Sequence, residues 1–186
     1  MVNFESKEKL NIEIVLATPE DARVIKEVQY KAWLETYPNE EFGVTVDDVE
    51  DRYKDTFTDE NIKKSEERIR NLPSNQRVLV AKENNQIVGF CILIKSENQN
   101  HLQALYVLPG YQGRGVGKLL WKEAQTFFDP NKNSIVDVAT YNSNAIDFYK
   151  KLGFKDTGIR REDEKFRMKS GAIIPEMEMV IETTGK

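Results

Sequence analysis

Residues 105–117 read LYVLPGYQGRGVG. An apolar, strand-like run reaches Leu108. Gly113, Gly115 and Gly117 then alternate with Arg114 and Val116, and KLLWKEAQTFF follows with its apolar residues at helical spacing. A strand that turns through glycine into a helix leaves several backbone N–H groups unpaired at one spot, at the positive end of the helix dipole. Such a spot suits a phosphate group. Glycine serves it because a side chain would hold the anion away and because tight turns need positive φ. The competing reading is a turn whose glycines serve packing alone.

Two familiar phosphate motifs fail here on chemistry. The dinucleotide pattern GxGxxG needs glycine where Lys118 stands, and no βαβ unit with an acidic ribose contact follows. The P-loop GxxxxGK[ST] is approached by GRGVGKL, but its first spacing is one residue short and Leu119 replaces the hydroxyl that would bind Mg²⁺.

Working outward from the turn, NIEIVLAT alternates like a half-buried strand, and TPEDARVIKEVQYKAW opens a helix at Thr18 and Pro19. Residues 44–71 are highly charged with spaced apolar positions, which predicts one or two exposed helices. QRVLVAKEN and NQIVGFCILIK form a hairpin joined at Glu83, Asn84 and Asn85, and NHLQALYVL is the next strand. After the helix from about Gly115 to Phe128 come a strand, SIVDVATY, and a short helix, NSNAIDFYKKLGF, closed at Gly153. EMEMVIET is a last strand. The order β, α, (α), β, β, β, α, β, α, β predicts an α/β (α+β) fold, a mixed, mostly antiparallel sheet flanked by helices.

Composition narrows the function. With 186 residues, 39% hydrophobic and 31% charged, the chain is expected to form a single domain over 1–186 with a core from about 11 to 182. No apolar run nears the ~20 residues of a membrane helix. The N-terminus, MVNFESKEKLNIEIV, carries charge where a leader needs its apolar core, so a cytoplasmic location is expected. A single cysteine and a single histidine leave no Cys/His zinc cluster, and no metal is expected. A net charge of -4 without a basic, aromatic-interleaved stretch argues against a nucleic-acid partner.

Gln112, Gly115 and Gly117 also satisfy Q/RxxGxG/A, and here the chain resembles the GNAT superfamily of acyl-CoA-dependent N-acyltransferases. LYVLPGYQGRGVGKLL resembles that family's strand, Pro-containing loop and pyrophosphate turn, and NSNAIDFYKKLGF resembles its later NxxAxxFYxxxGF segment. The resemblance spans about Asn11 to Glu182. It implies acetyl-CoA as co-substrate, with its pyrophosphate on the backbone of Gln112, Gly113, Arg114, Gly115, Val116 and Gly117. It further implies that the strand Leu105, Tyr106, Val107 splays from SIVDVAT and pairs with the pantetheine arm as an added strand.

Direct acyl transfer to an amine needs a neutral nucleophile and a proton for the departing thiolate. By the resemblance, Tyr149 matches the tyrosine proposed as general acid and Asn142 an asparagine near CoA; a core residue and a helix cap are the respective alternatives. His101 aligns with a position where relatives carry a catalytic glutamate. An imidazole of ordinary pKa, ~6.5, suits a base near neutrality, although a lone polar residue on a strand is also simply exposed. Trp33 and Tyr37 lie where relatives place substrate contacts, with core packing the alternative for Trp33. Cys91 reads as a small buried apolar residue. Between Glu35 and Glu60 stand ten Asp or Glu residues against Arg52 and Lys54, either an attractor for a cationic substrate or a solvated face. The expected activity is N-acetylation of a primary amine, with polyamines or other small cationic amines favoured. Protein α-amino acetylation and a noncatalytic acyl-CoA-binding module are the alternatives, and a homodimer is a possible assembly in this family.

Overall fold

The computed structural model describes residues 11–183. The segment read for a leader, residues 1–10, lies outside the described residues.

Strand β1 (Ile12–Leu16) leads through a 3-10 turn at Pro19–Asp21 into helix α1 (Ala22–Thr36). Asp21 accepts the Thr18 backbone N–H at 2.9 Å, which ties the helix entry. The charged stretch folds as two helices, α2 (Val46–Tyr53) and α3 (Asp59–Arg70). Strands β2 (Gln76–Glu83) and β3 (Gln86–Lys95) form the expected hairpin, turning at Asn84 and Asn85 with φ of 49° and 66°. This is the positive-φ pair that a two-residue hairpin loop demands and that asparagine tolerates. Strand β4 (Asn100–Val107), helix α4 (Val116–Phe127), strand β5 (Ser134–Ala139) and helix α5 (Ser143–Lys151) follow.

The end of the chain departs from expectation. Ahead of the last strand, β7 (Ile173–Ile181), the stretch KDTGIRREDEKFR forms an additional strand, β6 (Lys155–Arg167). It has no apolar alternation because it is an edge strand whose residues are almost all exposed, held by its backbone ladder to β7. Among the described residues the sheet order is β1-β2-β3-β4-β5-β7-β6, with only β4 and β5 parallel.

Helices α4 and α5 cover one face of the sheet, where Leu93, Leu102, Leu120 and Met179 are fully buried. On the other face α1 lies over Val80 and Phe90, and an aromatic cluster of Trp33, Tyr53, Tyr106 and Phe166 joins α1 and α2 to β4 and β6. A bulge sets which side of β4 looks where. Ile92 pairs with Ala104 and Leu93 with Leu102, so Gln103 is the extra residue. Leu102 and Leu105 therefore both reach the α4 face, and Ala104 and Tyr106 the α1 face.

Candidate active site

Parallel pairing between β4 and β5 stops after Asn100↔Ser134 and His101↔Ile135. Beyond that point the strands diverge around a cleft of about 830 Å³, lined by Gln103 to Val107 on one side and Val136 to Val138 on the other. The Leu108 N–H donates to the Val88 carbonyl on β3 at 2.8 Å. Alternation along the strand then turns the backbone groups of Leu105 and Val107 toward the gap. One of these is already engaged, because the Gln112 side-chain amide donates to the Val107 carbonyl at 3.2 Å and closes the loop onto the strand end.

At one end the cleft reaches the glycine turn. Gly113 (φ +69°) and Gly115 (φ +91°) hold backbone conformations that favour glycine, and a Cβ added at either would meet open space. Gly115 is the N-cap of α4 and supplies no side-chain cap, so the first N–H groups of the helix remain available. Gly117 does a different job: a Cβ there would stand 3.1 Å from the Phe148 ring, so this glycine lets α4 pack against α5. Lys118 lines the same end. Arg114 is outside the lining, exposed and stacked over Tyr111 at 5.1 Å. Val116 is buried, so only its backbone faces the turn.

Asn142 and Tyr149 both line the cleft. The Asn142 side-chain oxygen accepts the Ala145 N–H at 3.0 Å and caps α5. Tyr149 is buried between Phe148 and Phe154, at ring distances of 5.3 and 5.5 Å. Burial pushes its phenol well above the ordinary range, and neighbouring Tyr106 and Cys91 add to the shift. The hydroxyl is therefore protonated at neutral pH. The Cys91 thiol is pushed up to about 12 by burial, which suits an inert core residue rather than a nucleophile.

The opposite end of the cleft is lined by Ala32, Glu35, Thr36, Tyr37, Asp137 and Tyr141. Here the Tyr106 hydroxyl is a hub: it accepts the Trp33 indole N–H at 3.0 Å and lies 3.2 Å from the Tyr37 hydroxyl. Tyr141 donates to the Tyr37 carbonyl at 3.0 Å. Trp33 is buried in the aromatic cluster behind Tyr37 and does not line the cleft. His101 also sits outside the lining, just behind the vertex, with its Nε2 3.3 Å from Asp137. Burial works to raise the Asp137 pKa, but the hydrogen bond and charge of His101, with Arg161 and Lys165, hold it below the ordinary value.

No residue from Pro38 to Leu102 lines the cleft, so the acidic stretch read as a substrate attractor lies elsewhere. Asp48 is buried and structural: it closes a capping box with Thr45 and accepts the Ser170 N–H at 2.7 Å. Asp51 pairs with Lys54 at 3.1 Å. Arg52 stacks on Trp33 at 4.9 Å and donates to the Lys165 carbonyl. Sequence reasoning missed Gln103 and Asp137, because β-strand residues far apart in the chain carry no local pattern that brings them together, and it passed over Lys118, which follows the glycine run directly.

The family described as acetyltransferase (GNAT) domain matches residues 33–170. A peptidyl-lysine N-acetyltransferase, YjaB, of Salmonella typhimurium is 32% identical over 93 residues, covering 50% of this chain and 59% of its own. The [ribosomal protein bS18]-alanine N-acetyltransferase of Haemophilus influenzae is 35% identical over 80 residues, covering 42% and 55%. The chain thus spans little more than half the length of the curated relatives it matches. Among solved structures, PaiA N-acetyltransferase of Thermoplasma acidophilum in complex with coenzyme A aligns with a TM-score of 0.66 at 25% identity, covering 91% of this chain and 98% of that one. A GNAT acetyltransferase of Streptococcus pneumoniae aligns at 0.65 and 21%, which shows the shared fold. This chain belongs to the GNAT acetyltransferases, acyltransferases that draw their acetyl group from acetyl-CoA.

Proposed function

We propose that this protein acetylates a primary amine carried on a cationic molecule, by direct attack on acetyl-CoA within the β4/β5 cleft, in the cytoplasm. The observation that carries this reading is the continuity of the cleft, from the uncapped N-terminus of α4 at one end to Glu35 and Asp137 at the other. The residues present fit the cofactor. The open turn at Gly113 and Gly115, with Lys118, suits a pyrophosphate, and the free edge of β4 at Leu105 suits the amides of a pantetheine arm. The amine lone pair forms the C–N bond to the thioester carbonyl carbon. As the C–S bond breaks, the Tyr149 hydroxyl gives its proton to the sulfur. Tyr37 and Asp137 stand where the acceptor would enter.

A lysine side chain and a small polyamine present the same alkylammonium chemistry to this end of the cleft. The peptidyl-lysine activity of a relative that is 32% identical favours the lysine of a peptide, and Tyr37 and Tyr141 line the cleft beside Glu35 and Asp137. The test is thiol release from acetyl-CoA against polyamines, lysine-containing peptides with blocked N-termini, and peptides with free N-termini. Acetylation of one of the first two classes is expected. Acetylation confined to α-amino groups would overturn the alkylammonium reading, and thiol release without acetylated product would overturn amine transfer.

A further inference from the structure

Helices α1, α2 and α3 enclose a second hollow, of about 490 Å³, that shares no lining residue with the cleft. Asn61, Lys64, Ser65 and Arg68 of α3 line it, at the i, i+3, i+4, i+7 spacing of one helix face. Lys26 lines it from α1, and Arg52 and Lys54 from the C-terminal end of α2. The walls thus carry five cations against two carboxylates, Asp51 and Asp55, in a chain whose net charge is -4. Arg52 and Lys54 are the only Lys or Arg residues between Glu35 and Glu60, so the acidic stretch turns both of its cations toward this one place.

Bonding within the protein uses only part of this positive charge. Lys54 holds Asp51 at 3.1 Å and Lys64 holds Glu60 at 2.6 Å, which leaves Asp55 as the opposing carboxylate in the walls. The Arg52 guanidinium lies 4.9 Å from the Trp33 ring and 5.5 Å from the Phe166 ring, and it donates one N–H to the Lys165 carbonyl at 3.0 Å. Its remaining donors are therefore held in place. Lys26 and Arg68 have no carboxylate within salt-bridge reach among the described residues. Lys26 is half-buried, and burial, with the like charge of Arg68, holds its ammonium below the ordinary value. Two cations left together in a partly desolvated hollow repel one another, and an anion between them removes that cost. We propose that this hollow binds a small phosphate-bearing anion, at a site separate from the acetyl-CoA turn and independent of how the cleft is read. A phosphate group accepts several charge-assisted hydrogen bonds at once, and here Lys and Arg side chains of three helices supply them from different sides. The two guanidinium groups, of Arg52 and Arg68, suit paired phosphate oxygens. The volume is that of a small-molecule site, and its concave shape between three helices suits a compact soluble ligand.

The test titrates inorganic pyrophosphate into the CoA-saturated protein by calorimetry, so that the turn at Gly113 and Gly115 is already filled. One further site is expected. Lys26→Gln combined with Arg68→Gln should weaken it about tenfold or more, while CoA affinity stays at the wild-type value. Lys63→Gln removes an exposed charge of α3 outside the hollow and should leave pyrophosphate binding unchanged, which separates a built site from an effect of net charge. No binding to the CoA-saturated wild type, or an equal loss in Lys63→Gln and the double variant, overturns the proposal. Tighter binding of a poly-glutamate peptide, or of phosphatidylglycerol vesicles, than of pyrophosphate assigns the hollow to another partner and overturns it as well. Should the double variant fail to fold, the wild type decides alone. Pyrophosphate should raise the pKa of the Lys26 ammonium, read by NMR of its side chain, and a Lys26 titration that pyrophosphate leaves unmoved overturns the proposal.

Discussion

Tyr149 lines the cleft, and its ring is packed by Phe148 and Phe154. Tyr149→Phe removes the hydroxyl proposed to protonate the sulfur and keeps that packing. It should lower kcat on the order of 10²-fold while the affinity for CoA, read by calorimetry, stays at the wild-type value. A wild-type kcat would mean that the thiolate leaves without this hydroxyl. Glu176 also makes a prediction about stability. Its folded pKa, about 7, lies above the unfolded value, so the folded protein gains from protonated Glu176 at low pH and loses that gain as pH rises through 7. After discounting for solvent at a half-buried site, the loss is on the order of 1 to 2 kcal/mol. Glu176→Gln should therefore be more stable than the wild type at pH 8 and indistinguishable from it at pH 4, as measured by urea unfolding. A carboxyl desolvated by burial gives this pattern, and a stabilising surface glutamate gives the reverse.

Among the elements, the turn into α4 separates two uses of glycine. Gly113→Ala and Gly115→Ala meet open space and strain only the backbone, at about 1 kcal/mol each, yet they narrow the approach to the helix N–H groups. CoA affinity should fall at least tenfold in both. Gly117→Ala meets the Phe148 ring at 3.1 Å, so its loss should appear in the stability of the free protein as well. Equal CoA binding in all three variants would contradict the assignment of the turn. Helix α2 offers a pH test. Burial tends to raise Asp48, but hydrogen bonds from the Thr45 and Ser170 backbone hold it below the ordinary 3.8. Its contribution is present above pH 4 and is lost as pH falls through the lowered folded value. Asp48→Ala should cost about 1 to 2 kcal/mol at pH 7 and progressively less in that acid window.

For the whole molecule, β4, β5, α4, α5 and the end of α1 all line the cleft, so bound acetyl-CoA should stabilise them together. At a ligand concentration 100 times Kd the gain is about 2.7 kcal/mol. Amide exchange should slow in β4 and at the start of α4, and stay unchanged in α3, which lines no part of the cleft. Neutralising Asp47 and Glu50, which lie outside it, should leave the KM for the amine unchanged.

How much of this was legible in the chain follows from the range of each interaction. Strand and helix periods, the Asn84-Asn85 hairpin, and the run from Leu105 to Gly117 are local, because turn sterics and helix-end amides act over a few residues. They determined the fold class and, with NSNAIDFYKKLGF, the family. Strand β6 was not legible, since an exposed edge strand is held by main-chain bonds to β7 that no side-chain pattern records. The different tasks of Gly115 and Gly117 depended on where the Phe148 ring lies, 31 positions away in the chain. Only the tertiary structure decided that Trp33 faces the Tyr106 hydroxyl, that the acidic stretch around Asp48 builds α2 instead of the cleft, and that Arg161 draws Asp137 and Glu178 together. The physical reason is common to all of them: desolvation and charge pairing are set by neighbours in space, and the sheet register that makes those neighbours is complete only when the chain has folded.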